Sequence, residues 1–416
     1  MLATRASTAT RLARSFATVV DAQASGIKIA AVDNGQPTSA VTFLVKAGSR
    51  YEPSPGIAHA LKNFAFKSTA KRSTLGTVRE SELYGGVLSS SLSREYLALT
   101  SEFLRGDESY FTSLLTSVLT TPKFLPYEYS EYVLPVVREE SINAFKTPST
   151  VAIEAAHALA FRSGLGAPLF TGTHTSVPLA SVKAFAKEVF TAGNIAVLGT
   201  GIDSATLAKL VEQALAESSI TTSSSSPVTS PSKYFGGSTR IDSHEGLQTV
   251  FIGFGTTVPS AVLSVLNAHV APAPALKYPV VPRPSTTVSS VYLPYSDAAL
   301  IGVLVQGPDA SSVKEAAKDA VAKLKKPLSA EELKVAVARA KFSTAAALES
   351  REGFVQAIGS KILSNSEVSI ESTLAALDKV DEAALSKTVS ELTKATPTFV
   401  AVGDVNTLPY ADEIGL

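Results

Sequence analysis

Hydrophobic and polar positions along this chain fall into two runs that repeat one another. In the first, strand-like apolar stretches at Ile27–Val32 and Ala40–Ala47 lead to helical spacing from about Gly56 to Ser68. Two more strand-like stretches, Gly86–Leu92 and Tyr96–Phe103, meet at a short turn at Ser93-Arg94. Helical spacing then covers Glu108–Leu119, Tyr127–Phe145, Thr150–Phe161 and Leu179–Phe190. An apolar strand, Asn194–Gly199, and a helix from Asp203 close this run.

The second run repeats the order. Strand Gln248–Gly253 and a helix near Ser260–Val270 precede strands at Val288–Leu293 and Leu300–Gln306. Helices follow at Ala310–Leu324, Ser329–Ala347, Phe354–Leu363 and Glu382–Lys394, before a last strand, Thr398–Val402. Ser329-Ala-Glu-Glu332 has the form of a capping box. Strand groups followed by helix groups predict an α+β fold of two homologous domains, each a mostly antiparallel sheet packed with helices.

Ser218–Ser232, SSITTSSSSPVTSPS, has too little apolar surface to order itself and reads as the linker between domains at 17–217 and 233–416. The first 20 residues carry Arg5, Arg11 and Arg14 and no acid, the composition of a mitochondrial presequence. Arg14-Ser15-Phe16-Ala17 has an Arg three residues before a cut between Phe16 and Ala17, which makes 1–16 the expected presequence.

At 416 residues and 45% hydrophobic, the chain has a globular composition. Its 37 basic and 37 acidic residues cancel, so no basic field favours nucleic acid. With no cysteine, disulfides, thiolate metal sites and cysteine nucleophiles are excluded. The longest charge-free stretch, Gly246–Leu276, is broken by Pro259, Pro272 and Pro274 and predicts no transmembrane helix of the chain's own. Gly253-Phe-Gly255 and Gly236-Gly237 read as turn or bulge glycines. His157 and His174 have no acid at ligand spacing, and His244-Glu245 lacks a second His.

Residues 56–69, GIAHALKNFAFKST, carry the chemistry. With Gly56, Ala58, Leu61, Phe64, Phe66, Lys67 and Thr69 as its frame, this segment resembles the zinc-site helix of the pitrilysin-like metallopeptidases. That family includes the mitochondrial processing peptidases and the core proteins of the cytochrome bc1 complex. Active members carry His-x-x-Glu-His and a distal Glu: two imidazoles one turn apart grip zinc, and the Glu between them activates water. Here the positions hold His59, Lys62 and Asn63, with 76 residues between Asn63 and the distal acid Glu140, or Glu139 beside it. Lys62 puts a cation where a base is needed, and Asn63 is a poor zinc ligand. The expectation is therefore no metal, no cofactor and no hydrolysis.

The resemblance runs through the mature chain. Phe161–Phe170, Phe185–Gly201 and Tyr295–Gly302 are similar to family segments, and Glu349–Phe354 and Gly403–Tyr410 are most similar to a bc1 core protein. It implies a scaffold subunit on the matrix side of the mitochondrial inner membrane. Its implied partners are a homologous core subunit, cytochrome b, cytochrome c1 and the Rieske protein, in a dimeric complex. The runner-up is a non-catalytic processing-peptidase subunit that presents presequences. Such a subunit carries a glycine-rich loop, whereas Arg283–Ser290 has no glycine.

Overall fold

Strands rich in Val, Ile, Phe and Thr form where a pleated surface can be covered, and the computed structural model has eleven of them among its described residues. Those residues are 20–24, 26–33, 35–173, 175–216, 220, 231–256, 260–270, 286–326, 328–364 and 369–416. Phe16, Ala17, His174, most of 218–232 and residues 283–285 lie outside them.

The chain opens with β1 (Val20–Ala24), β2 (Ile27–Val32) and β3 (Thr38–Val45). Helices α1 (Ile57–Asn63) and α2 (Thr74–Leu83) precede β4 (Val87–Leu92) and β5 (Leu97–Leu104). Then come α3 (Glu108–Thr120), α4 (Leu134–Lys146), α5 (Pro148–Phe161), α6 (Leu179–Val189), β6 (Ile195–Thr200) and α7 (Ser204–Ala216). The second run holds β7 (Gly237–Asp242), β8 (Gln248–Thr256), α8 (Ala261–Val270), β9 (Thr287–Pro294) and β10 (Ala299–Gly307). It ends with α9 (Ala310–Lys325), α10 (Ala330–Glu349), α11 (Arg351–Leu363), α12 (Ile370–Asp378), α13 (Glu382–Lys394) and β11 (Thr398–Gly403).

The sheets run β1-β2-β6-β3-β5-β4 and β7-β11-β8-β10-β9. Without β1 the two orders coincide strand for strand. Each sheet has one parallel pair in the same place, β2 with β6 and β7 with β11; the other pairings are antiparallel. The fold is α+β, and the repeat visible in the sequence is a repeat of topology.

The chain forms two compact units that do not follow chain order. The first takes residues up to Val137, Ser176–Val228 and Ser350–Ile370; the second takes Arg138–Thr175, Thr229–Glu349 and Glu371–Leu416. In the first, Phe43, Val45, Leu97, Leu99 and Val197 pack under α1, α3 and α6. The other face of this sheet is met by α11: Gly359 lies so close to Leu44 and Tyr96 that an added Cβ would stand 3.3 Å from each. Arg351 fixes α11 by pairing with Glu102 and donating to Thr38 Oγ1 at 2.7 Å.

In the second unit, Val250, Ile252, Ile301 and Val303 pack under α8, α9 and α13. The opposite face, with Phe251, Leu300 and Val400, is covered by α5 through Ala152, Ala156 and Ala160, one residue per turn. Small side chains at that spacing let helix and sheet approach closely.

Several elements depart from the expectation. Helix α1 stops at Asn63, because Phe66 takes φ 60 and turns the chain. A π-helical turn at Tyr129–Val133 interrupts the long helix predicted over Tyr127–Phe145. Helix α2, with Gly76 inside it, is held by Ser73, whose Oγ accepts from Gly76 N at 3.1 Å. Gly253 and Gly255 are not turn glycines but lie inside β8. A Cβ would come 2.6 Å from the Phe251 ring at Gly253 and 2.3 Å from the Tyr234 ring at Gly255, so these aromatics take the space. The capping box forms: Ser329 N donates to Glu332 Oε2 at 2.9 Å and Glu332 N to Ser329 Oγ at 3.3 Å.

Candidate functional site

Helix α1 is seven residues long and starts from Gly56, whose φ of 94° suits glycine. Glu52 caps it: the carboxylate accepts from Gly56 N at 3.2 Å and Ala58 N at 2.8 Å. Burial pushes the Glu52 carboxyl up to about 7, against the lowering effect of those N–H groups. His59 is 2% exposed, Lys62 and Asn63 are half-buried, and all three belong to the first unit.

The peptide groups of this helix end are engaged. Asn63 Nδ2 donates to His59 O at 3.2 Å and Ser90 Oγ donates to Lys62 O at 3.3 Å. The Asn63 amide therefore turns back along its own helix. Glu140 is half-buried on α4, in the part of that helix assigned to the second unit, and Glu139 beside it is exposed. Among the described residues no three His, Cys, Asp or Glu side chains are grouped so as to hold a metal ion. Helix α1 offers one imidazole, one ammonium and one amide, a set without the carboxylate base and second imidazole of the zinc motif.

Around α1 lies a shell of buried charge. Arg50 Nη1 meets Glu95 Oε1 at 3.0 Å, both side chains nearly inaccessible. Glu128, 1% exposed, accepts from Ser68 N at 3.2 Å, Ser68 Oγ at 2.6 Å and Thr74 Oγ1 at 2.5 Å through Oε1. These bonds tie the stretch after α1 to the start of the next helical region. Burial lowers the Lys67 ammonium pKa, and the nearby Glu128 charge offsets part of that shift. Sequence reasoning missed Glu52, Glu95 and Glu128. Glu52, four residues before a glycine that opens a helix, carried a readable capping signal; the other two meet their partners only in the fold.

Two other histidines, His157 and His244, have ordinary roles. His157 is buried, with Nδ1 2.7 Å from Ile153 O and Nε2 2.7 Å from Tyr295 Oη. If Nδ1–H donates to the carbonyl, as that contact requires, Nε2 accepts from the phenol. His244 lies exposed in the turn between β7 and β8, 3.6 Å from Asp242 Oδ2. Gly236 and Gly237 have positive φ and lead into β7.

Two α+β units of one topology, the first carrying His59, Lys62 and Asn63 on α1, are the arrangement that the resemblance to the pitrilysin-like family implied. A family model for insulinase, peptidase family M16, matches residues 28–173. Relatives named cytochrome b-c1 complex subunit 2, mitochondrial, align over nearly the whole chain. That of Cryptococcus neoformans var. grubii is 42% identical over 413 residues, covering 94% of each chain. That of Yarrowia lipolytica is 32% identical over 415 residues, covering 97% of each, and that of Homo sapiens 27% over 419, covering 94% of this chain and 90% of its own. The chain belongs to the mitochondrial cytochrome b-c1 complex subunit 2 family.

Proposed function

We propose that this chain is a non-catalytic core subunit of the mitochondrial ubiquinol–cytochrome c oxidoreductase, supporting its assembly without carrying a redox centre. The observation that carries the reading is the 42% identity over 94% of the chain to a cytochrome b-c1 complex subunit 2. The occupancy of the motif by Lys62 and Asn63 supports the inactive half of it. A cation at the base position opposes both metal binding and proton acceptance.

The expected partners are a homologous core subunit, cytochrome b, cytochrome c1 and the Rieske protein. The expected place is the matrix side of the inner membrane, peripherally bound. No helix among the described residues is long and apolar enough to cross a membrane, which agrees with attachment through partners. Mitochondria solubilised in mild detergent and resolved by native electrophoresis with mass spectrometry test the reading. Co-migration with cytochrome b, cytochrome c1 and the Rieske protein is the expected result. Migration in a soluble heterodimer would sink it and put the presequence-presenting subunit in its place.

A further inference from the structure

A cavity lies inside the second unit, between its sheet and the helices that cover it. Its walls include Ile252 and Val303 on the sheet, Val270 on α8, Ala320 and Leu324 on α9 and Leu392 on α13. It has about 20 Å³ of room for the centre of a water molecule, more than the roughly 10–15 Å³ that one water requires. A water also requires at least two polar partners. Asn267 is the one polar side chain among the described lining residues, so water suits the space poorly.

Asn267 Oδ1 is nonetheless buried and has no hydrogen-bond partner among the described residues. A buried amide oxygen left unpaired between apolar walls is costly. A half-turn of the amide exchanges Oδ1 and Nδ2 without changing its shape, and brings an N–H to the same place.

Where α8 ends beside α9, the cavity is bordered by positive charge. Lys323 Nζ donates to Val270 O at 3.4 Å, a long bond to a residue that itself lines the cavity. Burial lowers the Lys323 pKa and the Arg339 charge adds to the lowering; a nearby anion relieves both effects. Lys323, Lys326 and Arg339 all act on His269, the residue before Val270. Glu332 is the one acid among the charges acting on His269 or Lys323. It already accepts from Ser329 N at 2.9 Å and lies 3.7 Å from Lys326. Asp319 and Glu331 are exposed, and neither is among those charges.

We propose that this cavity binds a short-chain carboxylate, its tail among the apolar walls and its head toward Asn267 and Lys323. The room suits a tail on the order of three carbons rather than a long acyl chain. A bare phosphate fits poorly, because it leaves the apolar walls without a partner. The site is built within the second unit and stands whether or not the chain belongs to a respiratory complex.

Saturation-transfer NMR on the purified full chain, with sodium butyrate as the probe, tests the proposal. Butyrate is expected to bind in the millimolar range that so small a ligand reaches. n-Butylamine, with a similar tail and the opposite charge, is expected to receive no saturation. Acetate and octanoate are expected to compete more weakly than butyrate itself. Lys323→Gln is expected to weaken butyrate about tenfold. Ala320→Leu fills the cavity and is expected to abolish the transfer, with a thermal midpoint at or above that of the parent. No transfer to butyrate, equal transfer to butylamine, equal or stronger competition by acetate or octanoate, or unchanged binding in either variant would each overturn the proposal.

Discussion

The two units share one strand order and one position for their parallel pair, but they differ in what they bury. The first encloses Arg50, Arg94, Glu95 and Glu128 together with His59. Among the described residues, the buried polar side chains of the second are Ser141, His157, Thr171, Thr249 and Thr398, with no Lys, Arg, Asp or Glu. Both solutions hold the same sheet, so buried charge is no requirement of this topology. It is confined to the unit that carries His59, Lys62 and Asn63.

The strongest way to break the comparison is to remove one charge from the first unit. Glu95→Ala leaves the Arg50 guanidinium buried without its carboxylate, which costs about 3–5 kcal/mol. Urea unfolding of the purified protein, followed by circular dichroism, measures the loss. Replacing both partners by apolar residues of similar volume, Arg50→Met with Glu95→Leu, is expected to recover most of it. A double variant as unstable as Glu95→Ala would mean that the charges themselves are needed.

The second unit should break by volume instead. Ala156 is fully buried where α5 meets the sheet bearing Phe251 and Val400. Ala156→Leu forces that contact apart and is expected to cost about 1–3 kcal/mol in the same measurement. Limited proteolysis adds location: cleavage should rise in Arg138–Thr175, the part of the first run that belongs to the second unit. Cleavage spread evenly over the chain would contradict that assignment.

These two sites also show what the sequence could reveal. The apolar runs of β3, β8 and β10 are buried along almost their whole length, so their continuity announced them. The order of the elements was legible because the chain states it twice. The exchange of α5 and α11 was not, since Ala152, Ala156 and Ala160 would suit either sheet. At the site, His59, Lys62 and Asn63 lie within one helical turn and could be read directly. Arg50 with Glu95, and Glu128 with Ser68 and Thr74, are joined by tertiary contacts that no local pattern encodes.

A smaller effect separates the capping carboxylate of the first unit from the apolar setting of the second. Burial lifts the Glu52 carboxyl from its ordinary pKa of 4.5 to about 7 in the folded chain. Below pH 4.5 the group is protonated whether the chain is folded or not. Between 4.5 and 7 only the folded state keeps the proton, so stability falls as pH rises through that window, and the loss is complete above 7. Glu52→Gln, which can still accept from Gly56 or Ala58, should flatten this slope. It should be more stable than the parent at pH 8 by on the order of 1 kcal/mol. Equal slopes for variant and parent would assign the proton elsewhere.

The smallest expected effect is that of metal. If α1 has lost its grip on zinc, a chelator and added zinc should each leave the thermal midpoint of the parent protein in place. A ligand that binds the folded state must raise that midpoint. The motif can then be rebuilt as Lys62→Glu with Asn63→His, which restores the base and the second imidazole beside His59. Zinc content after dialysis, read by atomic emission, separates two histories of the site. Stoichiometric zinc in the double variant would mean that two side chains alone account for the loss and that the buried shell still holds the old geometry. No zinc would mean that the shell has also drifted, and that Asn63, bonded back to His59 O at 3.2 Å, belongs to a helix end remade for packing.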